Sequence, residues 1–153
     1  MKDLVPFESI VESKGSMREK ILQFEQALVG VAGSFVGESE DFPVVHQFAE
    51  GMYIRSLHIP KGGCITGKIH RFSHPSFLMK GEISIVSESG GVQRLKAPCV
   101  VIAPPGTKRV GYAHEDTIWT TCHATKETDL KRIEDEVIAP SFEEFERGLL
   151  CHS

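Results

Sequence analysis

The chain of 153 residues contains no apolar run approaching the ~18 to 20 residues that a membrane-spanning helix needs. Its opening, Met1-Lys2-Asp3-Leu4-Val5-Pro6-Phe7-Glu8, lacks the apolar stretch of a secretory signal, so a cytoplasmic location is expected. There is no excess of positive charge either: 17 Lys and Arg stand against 21 Asp and Glu, for a formal net charge of -4. That balance gives no electrostatic reason to bind nucleic acid or an anionic membrane. The four cysteines, Cys64, Cys99, Cys122 and Cys151, are scattered and form no Cys-x-x-Cys pair, which excludes a disulfide framework and a structural zinc knuckle. Internal repeats, low-complexity tracts, paired acid/base carboxylates and a nucleophile beside a base are absent as well.

What is present is ordinary for one globular domain: 41% hydrophobic and 25% charged residues, in a length that buries a single core. Residues 1–15 carry no clear period and read as an irregular lead-in. Ser16 with Glu19 three residues later forms a capping-box signature, and Met17, Ile21, Phe24, Leu28 and Val31 recur at helical spacing. A helix from Met17 to Val29 follows, its stripe expected to cover the side or end of a sheet. Gly33 to Asp41 reads as a polar, glycine-bearing connection.

From Pro43 the period changes to that of short strands: Val44–Phe48, Met52–Ile59, Cys64–Arg71, Ser76–Leu78, Glu82–Ser87, Val92–Leu95, Cys99–Ala103, Lys108–Tyr112 and Thr117–Ala124. Turn residues such as Pro60-Lys61-Gly62-Gly63 and Ala103-Pro104-Pro105-Gly106 separate them, and no helix intervenes, which argues for an antiparallel sandwich or barrel. After Thr125 the chain turns acidic, with helices expected over Asp129–Val137 and Ser141–Leu149. The expected division is an N-terminal extension with one helix (1–42), a β-barrel (43–125) and an acidic helical extension (126–153). The acidic residues read most simply as a solvated face.

The only dense group of ligand-type side chains lies between Gly62 and Glu82. In an extended segment Lys68 and His70 share a face, and His74 lies past a bend from which it can return. On the last strand Trp119, Thr121 and His123 share a face, so His123 can join them beside an aromatic wall. Converging imidazoles suit zinc, iron, nickel or manganese. A protonated Lys68 argues against a cation nearby. His114 and His58 are weaker candidates, and His46 and His152 read as structural or exposed.

The spacing Gly62, five residues, Lys68, one residue, His70, three residues, His74, six residues, Gly81 resembles the first cupin motif, G-x5-H-x-H-x3-E-x6-G. Lys68 stands in place of its first histidine and His74 in place of its glutamate. Pro98, five residues, Pro104, one residue, Gly106, two residues, Arg109 resembles the second motif, G-x5-P-x-G-x2-H-x3-N, with Arg109 at its histidine and Ala113 at its asparagine. The runs Gly67-Lys68-Ile69-His70, Pro105-Gly106-Thr107-Lys108-Arg109 and Thr120-Thr121-Cys122-His123 are similar to small single-domain cupins of phages and prophages. The resemblance implies a mainly β fold, a double-stranded β-helix or small jelly roll, whose lumen holds the site, and a homodimer. It also puts the usual iron or manganese site of that superfamily in doubt, because Lys68 and Arg109 cannot ligate a cation when charged.

Three functions are compatible with these residues. One is a metal-dependent enzyme, with a divalent ion on His70, His74 and His123 and an anionic or carbonyl metabolite oriented by Lys68, Arg109, Trp119 and Thr121. Another is a non-enzymatic module that sequesters a small anion in a cationic pocket. The third is a structural or assembly component that uses its helical ends as docking surfaces.

Overall fold

The computed structural model describes Ile10, residues 12–31, Ser34 and residues 38–151. Most of the segment expected to be an irregular lead-in, part of the glycine-bearing connection and His152 lie outside these residues; within that segment Ile10 and Glu12 are helical, and Ile10 is buried against Ile21 and Phe24, which corrects the expectation there. The first long element is α1, Met17–Val29. It begins where local chemistry sets it: the Ser16 hydroxyl accepts from the Glu19 amide while the Glu19 carboxylate accepts from the Ser16 amide at 2.8 Å.

Among the described residues eleven strands follow: β1 Val44–Ala49, β2 Met52–Ile59, β3 Cys64–Thr66, β4 Ile69–His70, β5 His74–Lys80, β6 Glu82–Ser87, β7 Gly91–Lys96, β8 Cys99–Ala103, β9 Arg109–Ala113, β10 Thr117–Ala124 and β11 Ile138–Ala139. Helix α2, Leu130–Val137, precedes β11, and α3, Phe142–Leu150, follows it. A five-stranded sheet has the order β1-β2-β10-β5-β8, a four-stranded sheet the order β3-β9-β6-β7, and β11 pairs with β4. Every pairing is antiparallel. The expected antiparallel β architecture is therefore present.

Two of the expected strands differ in a way that matters. The segment read as one strand, Cys64–Arg71, is broken at Gly67-Lys68 into β3 and β4: the Gly67 amide makes the last bond in register with β9, to the Arg109 carbonyl at 2.7 Å, and from Ile69 the chain pairs with β11 instead. The segment read as Ser76–Leu78 is longer and begins at His74.

Alternation along the strands divides the interior by polarity. Ile59, Leu78, Ile83, Ile85, Ala113 and Trp119 pack between the sheets as one apolar cluster. Further along β10, Thr121 and His123 follow Trp119 on the same face, so the lumen changes from apolar to polar in that direction.

The outer face of the four-stranded sheet is closed by α1. Ile21 and Phe24 pack on Val86 and Val110, which explains why β6 is buried on both faces, from Ile83 to Ser87. The buried Lys108 ammonium donates to Glu25 of α1 at 2.9 Å, and the Thr66 hydroxyl donates to the same oxygen. Since Phe24 is only 2% exposed, Phe24→Ala is expected to cost about 3 to 5 kcal/mol of unfolding free energy. Urea denaturation measures it, and a loss below about 1 kcal/mol would mean that α1 is not needed to close this face.

Candidate metal centre

Three strands bring three imidazoles together. His70 ends β4, His74 begins β5 and His123 stands near the end of β10. One ligand atom from each lies within 4.8 Å of the other two. The ring centroids of His70 and His74 are 4.3 Å apart, those of His74 and His123 4.7 Å, and those of His70 and His123 5.3 Å.

Neighbouring backbone and side chains orient each ring. The His70 amide donates to the Thr107 carbonyl, and its own carbonyl accepts from the Gly106 amide at 2.7 Å. Gly106 holds a left-handed φ of 82°, and a Cβ there would stand 2.5 Å from the Phe145 ring of α3, so the turn beside His70 needs a glycine. His74 donates from Nδ1 to the Phe72 carbonyl at 3.3 Å. Its Nε2 is then the unprotonated nitrogen, and it is buried with no hydrogen-bond partner among the described residues. The Nε2 of His123 meets the Thr121 hydroxyl at 3.0 Å, while Tyr53 stacks on the His123 ring at 6.0 Å between centroids.

The electrostatics keep all three rings neutral. Burial pushes the pKa of His70 down to about 3, helped by His74, His123 and Arg109. Burial likewise lowers His123 to about 4, with His74 and Arg55 adding to the effect, and lowers His74. Neutral imidazole is the form that ligates metal. The orphaned Nε2 of His74, facing two more neutral imidazoles, is the arrangement a divalent cation fits.

Arg109 completes the polar end. Its Nη1 donates to the Ser76 hydroxyl at 3.0 Å and the guanidinium lies 5.5 Å from the Trp119 ring centroid. Burial lowers its pKa. Among the described residues no carboxylate stands within ion-pair distance of it.

Of the residues nominated from sequence, Arg109 acts on His70 and His74, Thr121 bonds His123 and Trp119 lies beside Arg109, but Lys68 stands apart. The break at Gly67 turns its side chain outward, where the exposed ammonium pairs with Glu134 of α2. The expectation that Lys68 lines the lumen is corrected accordingly, and so is its repulsion of a bound cation. His114 instead bonds Ser84 at 2.7 Å, and His58 borders a separate cleft with Asp41 and Asp116. Burial raises the thiol pKa of Cys64 and Cys122, which suits their reading as inert side chains.

A pocket of about 320 Å³ opens beside the cluster, lined by His70, His123, Phe72, Ser73, Val137 and Glu136. Glu136 was not a candidate from sequence, where it was one acidic residue in an acidic helix. It reaches the pocket because α2 docks there, and its Oε2 accepts from the buried Thr125 hydroxyl at 3.0 Å. His46, expected from sequence to be structural or exposed, has a definite place. It links Glu38, at 2.5 Å, to the Tyr53 hydroxyl, at 2.6 Å, and so steadies the ring stacked on His123.

No family model matches the sequence, and no curated protein matches it. Solved structures do. One is KdgF from Halomonas sp., with a TM-score of 0.52 and 14% identity over 61% of this chain and 89% of that one. Another is a conserved protein with a double-stranded β-helix domain from Klebsiella pneumoniae, with a TM-score of 0.50 and 18% identity over 61% of this chain and 84% of that one. At such identities the likeness speaks for the fold alone: this chain is a double-stranded β-helix, as the cupin-like motifs imply.

Proposed function

We propose that His70, His74 and His123 hold a divalent cation, and that the lumen binds a small anionic or carbonyl metabolite against Arg109. Two observations carry this reading: a ring nitrogen of each of the three histidines lies within 4.8 Å of the other two, and the buried Nε2 of His74 has no hydrogen-bond partner among the described residues. A buried acceptor without a partner costs about 1 to 3 kcal/mol, and a metal ion relieves it. Bound there, the ion supplies Lewis-acid chemistry, polarising a carbonyl or acidifying a water.

The chain's own residues define the ligand. Three neutral imidazoles leave the charge of a divalent ion uncompensated, and Arg109 adds another positive charge with no carboxylate of the described residues in ion-pair range. A carboxylate or phosphate on the ligand balances both, accepting from the guanidinium in paired hydrogen bonds. Trp119 lies near the guanidinium and Thr121 keeps the His123 ring in place.

The test is metal analysis of untagged protein after reconstitution with zinc, iron, nickel or manganese. About one equivalent of one of these is expected, and a stoichiometry near zero would overturn the reading. Arg109, with no ion-pair partner among the described residues, also favours a second possibility, a module that sequesters an anion without turning it over. A metal-loaded protein that an anion stabilises against heat, with no chemical change to that anion, favours the module. Arg109→Gln should abolish the anion effect in either case while keeping the metal.

A further inference from the structure

The acidic C-terminal segment reads from sequence as a solvated face, yet in the fold it is joined to the strand that carries His70. Strand β11 pairs directly with β4, placing Ile138 opposite His70 and Ala139 opposite Ile69. Arg71, the next residue after His70, fastens this pairing at three points. Its amide donates to the Val137 carbonyl at 2.8 Å, its Nε to the Ile138 carbonyl at 3.1 Å and its Nη2 to Glu144 of α3 at 2.9 Å. Behind His123, Ile133 and Val137 of α2 pack with Tyr53, the residue stacked on the His123 ring.

β4 is only two residues long and follows a break at Gly67, so it has little ladder of its own to hold it. Without β11, the orientation of His70 depends on the turn at Gly106 and Thr107 alone.

We propose that Arg71 is a positioning residue of the metal centre: it clamps β11 and α3 onto β4 and so holds His70 where it can ligate together with His74 and His123. The proposal rests on the metal reading given above. The C-terminal segment is on this view a component of the site, and its docking and metal binding reinforce each other, because each requires the same placement of β4.

Zinc affinity of the full chain, measured by competition with a chromophoric chelator, tests this in the wild type and in Arg71→Ala, Arg71→Lys, Glu144→Gln and Phe24→Ala. Loss of a partner that orients a metal ligand typically weakens binding about 10- to 100-fold, and Arg71→Ala should fall in that range. Arg71→Lys should recover part of the loss, and Glu144→Gln, which leaves the bond to Ile138, should lie near the lower end. Phe24→Ala lowers global stability on the opposite side of the four-stranded sheet and should leave zinc affinity unchanged. The cobalt-loaded Arg71→Ala protein should also show an altered visible ligand-field spectrum. If Arg71→Ala does not fold, Glu144→Gln decides in its place. Zinc binding within twofold of wild type in the folded Arg71 and Glu144 variants, or a Phe24→Ala protein weakened as much as Arg71→Ala, would overturn the proposal and leave the metal reading standing. A wild type that takes up no zinc overturns both.

Discussion

His74→Leu should abolish zinc-induced stabilisation while leaving the apo protein as stable as wild type or more so. Two effects of opposite sign meet at this residue. On the proposed reading His74 is one of three ligands of the ion, and its loss should weaken binding by more than the ~100-fold that removing an outer partner can cost. In the apo protein the same ring carries a buried nitrogen with no hydrogen-bond partner, at a position only 3% exposed. Leucine of similar size removes that orphan and adds apolar contact, while the Phe72 carbonyl that His74 now satisfies belongs to an exposed residue and can turn to water. A ligand present at 1,000 times its Kd stabilises by about 4 kcal/mol. For a chain of this length that corresponds to roughly 8 to 16 °C in Tm. Differential scanning calorimetry with and without excess zinc reads both terms. A substituted protein that keeps the zinc shift would show that His74 is not a ligand. An apo protein several kcal/mol less stable would show that its ring has a packing role that leucine does not meet.

The second large effect is on acid stability. In the unfolded chain a histidine titrates near 6.5, whereas in the fold His70 is lowered to about 3 and His123 to about 4. Between these values the unfolded state binds more protons than the folded state, so the stability of the apo protein falls as pH drops below about 6.5. Each pKa unit corresponds to about 1.4 kcal/mol. The two residues together should therefore cost on the order of 5 kcal/mol by pH 4.5, a large part of the ~5 to 15 kcal/mol that stabilises a typical domain. His74 adds to the loss in the same direction. Burial imposes most of it; His74 and His123 add to the effect on His70 and His74 to that on His123, with Arg109 acting on His70 and His74 and Arg55 on His123. Urea midpoints of metal-free protein should fall steeply from pH 6.5 to 4.5, and a variant with both His70 and His123 replaced by Leu should lose most of that slope. A midpoint independent of pH over this range would mean that the rings are not buried as neutral groups. Metal-loaded protein should hold its stability at pH 6.5 and lose it more abruptly below, as protons displace the ion.

Wherever the determining interactions are local, the chain could be read directly. The Ser16 and Glu19 capping box lies within four residues, so α1 begins at the expected place. Strand β10 is uninterrupted, so simple alternation put Trp119, Thr121 and His123 on one face, where the fold also has them. Lys68 shows the limit of such reasoning. Alternation placed it with His70, but it holds only while a strand stays extended. The pairing with β9 ends at Gly67, whose amide bonds the Arg109 carbonyl 42 positions away in sequence, and from Ile69 the chain pairs with β11 instead. The same holds for Arg71, whose partners Ile138 and Glu144 are remote in sequence and unremarkable in type, and for Glu136, one acid among many until α2 docks beside His123.

Period and turn chemistry by themselves thus determined an antiparallel β fold with a capped helix ahead of it and a histidine-rich stretch at its centre. They did so because these properties depend on neighbours a few residues apart. Only the tertiary structure decided that His70, His74 and His123 meet with one nitrogen left unpaired, that Lys68 leaves the lumen, and that the acidic end buttresses the strand bearing His70. Those outcomes depend on which backbone group, among many of the same kind, each segment finds when the sheets close.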